Sequence, residues 1–458
     1  MPERDPSIVA GSRPAPSRLY RWMVLIVISL AMFGNYYVYD CISPLADVLK
    51  QQLRLSDSNI GLLQAIYSFP NIVMVLIGGI VIDRIGTKKS TLLFGSICMV
   101  GSMVTAWPNA PVLAPLGAVV SALSSVLGLG VESRTLAVMV AGRLLFGLGA
   151  ESLIVAVTTA IARWFRGKEL SFAFGINLTI ARLGSFAALN SPTLASGAFA
   201  NWQWPLLISV AFGTMCVVGA ILYWVLESGA ERKYELGEAG KTDKVVFSDL
   251  FSFSPSFWFI VALCVTFYSG IFPFQTFAVK FFMEAHGASR EAGGFLSSML
   301  TAFAMIGTPL FGLLVDRVGK RSLFMMFASL LLIPVYLIMA YSQVTLYVPM
   351  AMMGIAFSLI PAVMWPSVAY VVPQSKLGTA YGLMTMIQNI GLFGFNLLIG
   401  WANDTWAASA ANPAGYRPGM WMFSCLGFFG LLFAFLLRRS ETGPRAHGLE
   451  TITTRSGP

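Results

Sequence analysis

Glu151 stands in FGLGAESLIVAVTTAIA, residues 146–162, with apolar residues on either side. Arg182 stands in a second greasy stretch, LSFAFGINLTIARLG, residues 170–184. A carboxylate and a guanidinium so placed either form a buried structural pair or line the path of a polar solute. A charge at the centre of a membrane span costs about 2.5–3.5 kcal/mol on insertion scales, so retaining one calls for a partner or a task. Glu151 lies about 18 Å along a helix from Arg163, and Arg182 about 20 Å from Glu169, at 1.5 Å per residue. Both distances run from one short connection, so the two charges should reach nearly equal depth.

The elements that must carry them are membrane spans. The 458 residues are 56% hydrophobic and 11% charged, where a soluble domain carries about a quarter charged residues. Apolar runs of roughly 20 residues, enough to cross about 30 Å as helix, recur along the chain. They fall near 22–40, 57–82, 90–108, 134–163, 170–190, 204–226, 256–283, 290–315, 322–342, 345–371, 377–402 and 417–437, making twelve. The reading is an all-α membrane protein with bundles at 22–226 and 256–437. Residues 1–21 read as a disordered N-terminal tail without a cleavable signal, 227–255 as a linker and 438–458 as a C-terminal tail. Residues 111–131 are also apolar, and read as an outer-face interfacial helix or hairpin, because a thirteenth span would split the basic loops between two faces.

The net charge of +9 does not point to nucleic acid, because the basic residues sit at span ends. Arg84, Lys88 and Lys89, then Arg163, Arg166 and Lys168, then Arg317, Lys320 and Arg321, then Arg438 and Arg439 should share one face. The positive-inside rule makes that face cytoplasmic, with both termini on it. The five cysteines (Cys41, Cys98, Cys216, Cys264, Cys425) and two histidines (His286, His447) show no disulfide or metal spacing. No phosphate loop, zinc-protease motif or nucleophile elbow occurs. Neither an enzyme nor a cofactor is implied, and transport energy must come from solute or ion gradients.

The chain repeats itself. GGIVIDRIGTKK (78–89) recurs as FGLLVDRVGKR (311–321), and LSFAFGINLTIARLG (170–184) as LGTAYGLMTMIQNIG (377–391). The second pairing sets Arg182 opposite Asn389, beside Gln388. Two parallel six-helix halves of this kind build secondary transporters, with the substrate site at their interface. Further side chains fall near the same depth: Tyr36 and Tyr39 in NYYVYD, Phe274 in GIFPF and Trp365 in MWP. Aromatic clusters in spans are more often packing than binding. Lys280 either snorkels to the outer face or serves the site.

The duplicated Gly-x-x-x-Asp-Arg-x-Gly-x-Lys/Arg loop resembles the hallmark of the major facilitator superfamily. The resemblance implies that fold, twelve helices in two pseudo-symmetric bundles. It also implies a cytoplasmic latch of Asp83, Arg84, Asp316 and Arg317, with close helix approach at Gly79 and Gly312. Arg143 opens RLLFGLG, similar to the superfamily's Arg-x-x-x-Gly-x-Gly pattern. It reads as a conformational or proton-linked arginine, or as the partner of a nearby carboxylate.

Within the superfamily, YSFPNIV with GGIVIDR, GRLLFGLGAESLIVA, RWFRGKELSFAFGINLTIARLGS, IFPF and WPSVAYVVPQSKLGTAYGLMTMIQNIG resemble the lysosomal dipeptide uniporter group, from about Tyr36 to Phe435. What that group implies is a dipeptide carrier gripping the peptide through Glu151 and Arg182. The group's helix 7 lysine falls one position from Lys280 in an ungapped match. Arg182 would clamp the carboxylate and Glu151 the ammonium, with the two charges pairing together when the site is empty. The competing expectation is a proton-coupled carrier of a small organic anion. Without a long targeting tail or dileucine signal, the expectation is a bacterial inner-membrane relative, and separately a monomer.

Overall fold

The computed structural model describes residues 14–131, 133–165, 169–234, 253–444 and 446–453. Arg166, Lys168, the segment 235–252 inside the expected linker, and both chain ends (1–13 and 454–458) lie outside the described residues. In the N-terminal half the helices are α1 (Arg18–Asp40), α2 (Ala46–Leu53), α3 (Asp57–Ala106), α4 (Ala114–Leu127), α5 (Arg134–Phe165), α6 (Leu170–Leu189), α7 (Ser191–Leu194) and α8 (Gln203–Lys233). The C-terminal half holds α9 (Pro255–His286), α10 (Arg290–Val318), α11 (Arg321–Tyr341), α12 (Tyr347–Val371), α13 (Leu377–Thr405) and α14 (Arg417–Glu441). Among the described residues there is no strand beyond one isolated bridge, Ser409 with Asn412. That is the form lipid permits, since helices satisfy every backbone bond within one segment.

Eleven of these segments are long and apolar enough to cross a membrane. The twelfth crossing is hidden in α3, whose 50 residues reverse direction at Gly86, φ +80°. The first arm, opened by a Ser56–Asn59 capping box, runs from Asp57 to the reversal. Gly319, φ +70°, makes the matching break between α10 and α11. The duplicated loop therefore needs its second glycine for a conformation that L side chains resist. The close approach expected at Gly312 is not found: a Cβ there would meet nothing within 4 Å.

The apolar stretch at 111–131 does not cross. Its helix α4 has 14 residues, about 21 Å at 1.5 Å per residue, short of the hydrocarbon thickness. It leans on α5: a Cβ on Gly117 would lie 3.0 Å from the Val138 side chain and 3.1 Å from that of Arg134.

The basic loops gather on one face. Glu169, in the α5–α6 connection, pairs with Arg18 (3.5 Å) and Arg21 (3.4 Å), while Lys88 and Arg163 reach Glu231 and Glu227 of α8. On that side of the C-terminal half, Arg321 donates to the carbonyls of Leu449 and Ile452. Both described chain ends thus pack against basic-face loops. The opposite face carries α2, α4 and the 406–416 loop.

Candidate functional site

A cavity of about 300 Å³ opens between the two halves. Regular helical spacing turns its lining inward. Tyr36, Tyr39 and Asp40 share one face of α1, Tyr268, Phe272 and Gln275 one face of α9, and Thr385, Gln388, Asn389 and Leu392 one face of α13. Tyr67 enters from α3, Glu151 from the middle of α5, Arg182 and Ser185 from α6, and Phe357 and Trp365 from α12. The structure thus brings seven of the nine residues picked from sequence for binding to one chamber: Glu151, Arg182, Tyr36, Tyr39, Trp365, Gln388 and Asn389.

The charges are held apart. Glu151 Oε1 accepts a hydrogen bond from the Tyr67 hydroxyl at 3.2 Å. The Arg182 guanidinium carbon lies 5.1 Å from the centre of the Phe357 ring, and its buried Nε has no hydrogen-bond partner. Among the described residues, no ion pair within 4.0 Å joins Glu151 to Arg182. A second carboxylate, Asp40, lines the same chamber beside Ser185. Two acids and one guanidinium facing one small chamber suit a ligand carrying both signs of charge.

The other walls are polar and aromatic. Trp365 Nε1 donates to the Tyr268 hydroxyl at 3.0 Å, and Tyr381 donates to the Trp365 carbonyl at 3.1 Å. Gln388 accepts from the Cys264 thiol at 3.4 Å, and Asn389 is turned back to the Thr385 carbonyl at 3.0 Å.

Two of the nine lie elsewhere. Phe274 sits two residues past Phe272, hence on the far side of α9, where its ring packs on Tyr336 (5.5 Å) and Phe423 (6.0 Å). Lys280 neither snorkels nor lines the cavity. Its ammonium is fully buried at the outer end of α9, paired with Asp57 at 2.6 Å and Glu284 at 3.4 Å.

That pair belongs to a seal across the halves. Directly above the cavity Ser43 donates to the Gln275 carbonyl (2.5 Å), while Thr276, within the C-terminal half, holds Asn396 of α13 at 2.9 Å. Farther out, Asp404 accepts from the backbone N–H groups of Asp57 and Ser58 at 2.9 and 2.7 Å, and Arg290 clamps Asp47 bidentately at 2.7 and 2.6 Å. The backbones touch, since a Cβ on Gly61 would lie 2.3 Å from the Asn396 carbonyl oxygen. The chamber is shut on the face opposite the basic loops.

Of the residues expected to gate, Arg143 has an internal role. It is buried in the N-terminal half and donates to the carbonyls of Val38 (2.8 Å), Tyr39 (3.2 Å) and Leu63 (3.3 Å) and to Gln64 (2.7 Å). It braces α1 and α3 against α5, with no carboxylate in ion-pair range among the described residues. Asp83, Arg84, Asp316 and Arg317 are exposed on the basic face, and Asp316 pairs with Arg321 of its own half at 3.2 Å.

Sequence reasoning missed Asp40, Tyr67, Tyr268 and Phe357. Asp40 closes the NYYVYD motif four residues after Tyr36 and so shares its helix face. Tyr67, inside YSFPNIV, offered no local sign of pairing with a glutamate on another helix.

Comparison with known proteins agrees with this architecture. The family model described as Major Facilitator Superfamily matches residues 28–278 and 274–454. The lysosomal dipeptide transporter MFSD1 of Bos taurus is 33% identical over 417 residues, covering 88% of this chain and 84% of that protein. Its Homo sapiens counterpart is 32% identical over 418 residues, covering 88% and 85%. A crystal structure of a bacterial homolog to the human lysosomal transporter Spinster, inward-facing and unoccupied, superposes with a TM-score of 0.69 over 93% of this chain and 98% of that one. Its identity is 17%, so the likeness speaks for the fold alone. These are membrane transporters of small molecules and not enzymes. With the fold, the duplicated loop and the family match in agreement, the chain is a multi-pass membrane transporter of the Major Facilitator Superfamily, related along most of its length to MFSD1.

Proposed function

We propose that this protein carries dipeptides across its membrane by alternating access, as a monomeric uniporter. The observation that carries the reading is that Glu151 and Arg182 face one chamber between the halves and are not paired to each other. Arg182 would take the peptide carboxylate bidentately. Glu151 would hold the ammonium, roughly two residues or about 7 Å away. The Tyr36, Tyr39, Trp365, Gln388 and Asn389 side chains would surround the backbone and leave the substrate's side chains free to vary. The dipeptide transporters named above supply the substrate class.

The basic face would be cytoplasmic, in a bacterial inner membrane. When the outer seal opens, Asp83, Arg84, Asp316 and Arg317 would close that face, while Arg143 holds the N-terminal half rigid. In proteoliposomes the wild type should show dipeptide counterflow without an imposed ion gradient, and Arg182→Ala should not. Equal counterflow in the two would contradict the assignment.

One observation favours a second reading. Asp40 gives the chamber a carboxylate beyond the one a zwitterion needs, as proton-coupled symport of a small organic anion would use. A 22% identical relative over 315 residues is named a probable sulfoacetate transporter, from Cupriavidus necator. Under this reading an imposed pH gradient drives uptake of a carboxylate and simple counterflow does not.

A further inference from the structure

A carboxylate and a guanidinium facing one cavity attract each other, the more so where water is excluded. Their separation here needs a cause, and the structure provides one on each side. Glu151 is bonded by the Tyr67 hydroxyl. The Tyr67 ring is itself pinned, edge-on to Tyr39 at 4.7 Å and against Phe146 at 5.4 Å, with the Arg143 guanidinium carbon 5.9 Å from its centre. Its backbone cannot yield either, since a Cβ on Gly147 would fall 2.3 Å from the Tyr67 carbonyl oxygen. Arg182 is held by the Phe357 ring.

The two holds differ in kind. Tyr67 and Glu151 belong to the same half, so their bond travels with the bundle. Phe357 belongs to the opposite half, so rocking the bundles can remove it from Arg182. Once it leaves, the Tyr67 hydroxyl still opposes collapse of Glu151 onto Arg182.

We infer that Tyr67 is a positioning residue: its hydroxyl keeps the Glu151 carboxylate away from Arg182, so that an arriving zwitterion meets two separate charges and has no ion pair to break. The inference rests on the dipeptide reading for its consequence and on the Tyr67–Glu151 geometry for its cause. Separating a formed pair would come out of the binding free energy, and a bond to a charged group is worth about 1.5–3 kcal/mol, a factor of ten or more in affinity.

Dipeptide binding to the purified full chain tests the consequence. Tyr67→Phe should raise Kd for an unmodified dipeptide about tenfold, and less than twofold in the Glu151→Gln background. Tyr67→His, which retains a ring donor, should lie nearer the wild type. An equal loss in the Glu151→Gln background, or no loss in the wild-type one, would overturn the inference. The cause has its own readout. The Glu151 carboxyl band, isolated as the infrared difference between wild type and Glu151→Gln, should shift in Tyr67→Phe and stay in place in Tyr39→Phe. An unmoved band in Tyr67→Phe overturns the inference whether or not dipeptides bind, whereas a wild type that binds no dipeptide while the band shifts sinks the carrier reading alone.

Discussion

Lys280 of α9 donates to Asp57 of α3 at 2.6 Å, with both side chains sealed from solvent, and so joins the two halves above the central chamber. A buried pair is weak evidence for stability, because desolvation offsets its attraction, but removing Asp57 leaves the sealed Lys280 ammonium with only the Glu284 carboxylate at 3.4 Å. Asp57→Asn should therefore bias the protein toward opening its outer face. With Ser185→Cys as a reporter in the chamber, in a background without other reactive thiols, labelling from outside by a membrane-impermeant maleimide should quicken several-fold. Unchanged labelling would mean that the pair does not gate.

The same seal depends on bare backbone. A Cβ at Gly400 would lie 2.5 Å from the Asp57 carbonyl oxygen, and at Gly61 2.3 Å from that of Asn396. Neither neighbour is a flexible side chain that could step aside. Gly400→Ala should therefore increase outside labelling of Ser185→Cys while reducing transport, because the outward-closed state becomes harder to reach.

Arg143 satisfies three carbonyls and one amide in the N-terminal half, from a position 1% exposed. Each buried acceptor left unmade costs about 1–3 kcal/mol. Arg143→Gln should lower the thermal midpoint in detergent by several degrees. Arg143→Lys should rescue little, since an ammonium cannot reproduce the planar fork.

The C-terminal segment folds back on the basic face. Leu449 is fully buried, its carbonyl and that of Ile452 accept from Arg321, and the Glu450 carboxylate accepts the Ser322 N–H at the start of α11. Leu449→Asp should destabilise the C-terminal half. Hydrogen exchange should show faster opening of the first turn of α11, while the first turn of α5 stays protected.

Hydropathy and the duplicated loop were enough to read the spans and the two-bundle plan, because both are one-dimensional signals that helices convert directly into geometry. Depth was legible too: equal spacing of Glu151 and Arg182 from one connection brought both to the same chamber. Azimuth was harder. Phe274 was picked for its depth within GIFPF and Lys280 for its place on the same helix, yet the two-residue step from Phe272 turns Phe274 about 200° around α9, and Lys280 rises beyond the chamber into the seal. Partners on other helices were invisible. Glu151 suggests an arginine by charge, and only packing reveals that a tyrosine of α3 reaches it instead.

The most direct measurement of the central claim is equilibrium dipeptide binding to the purified chain with each terminus blocked in turn. An unmodified dipeptide should bind the wild type. Acetylating its amino group should weaken binding in the wild type but scarcely further in Glu151→Gln, and amidating its carboxylate should do the same relative to Arg182→Ala. Blocked and free dipeptides binding the wild type equally well would contradict the account.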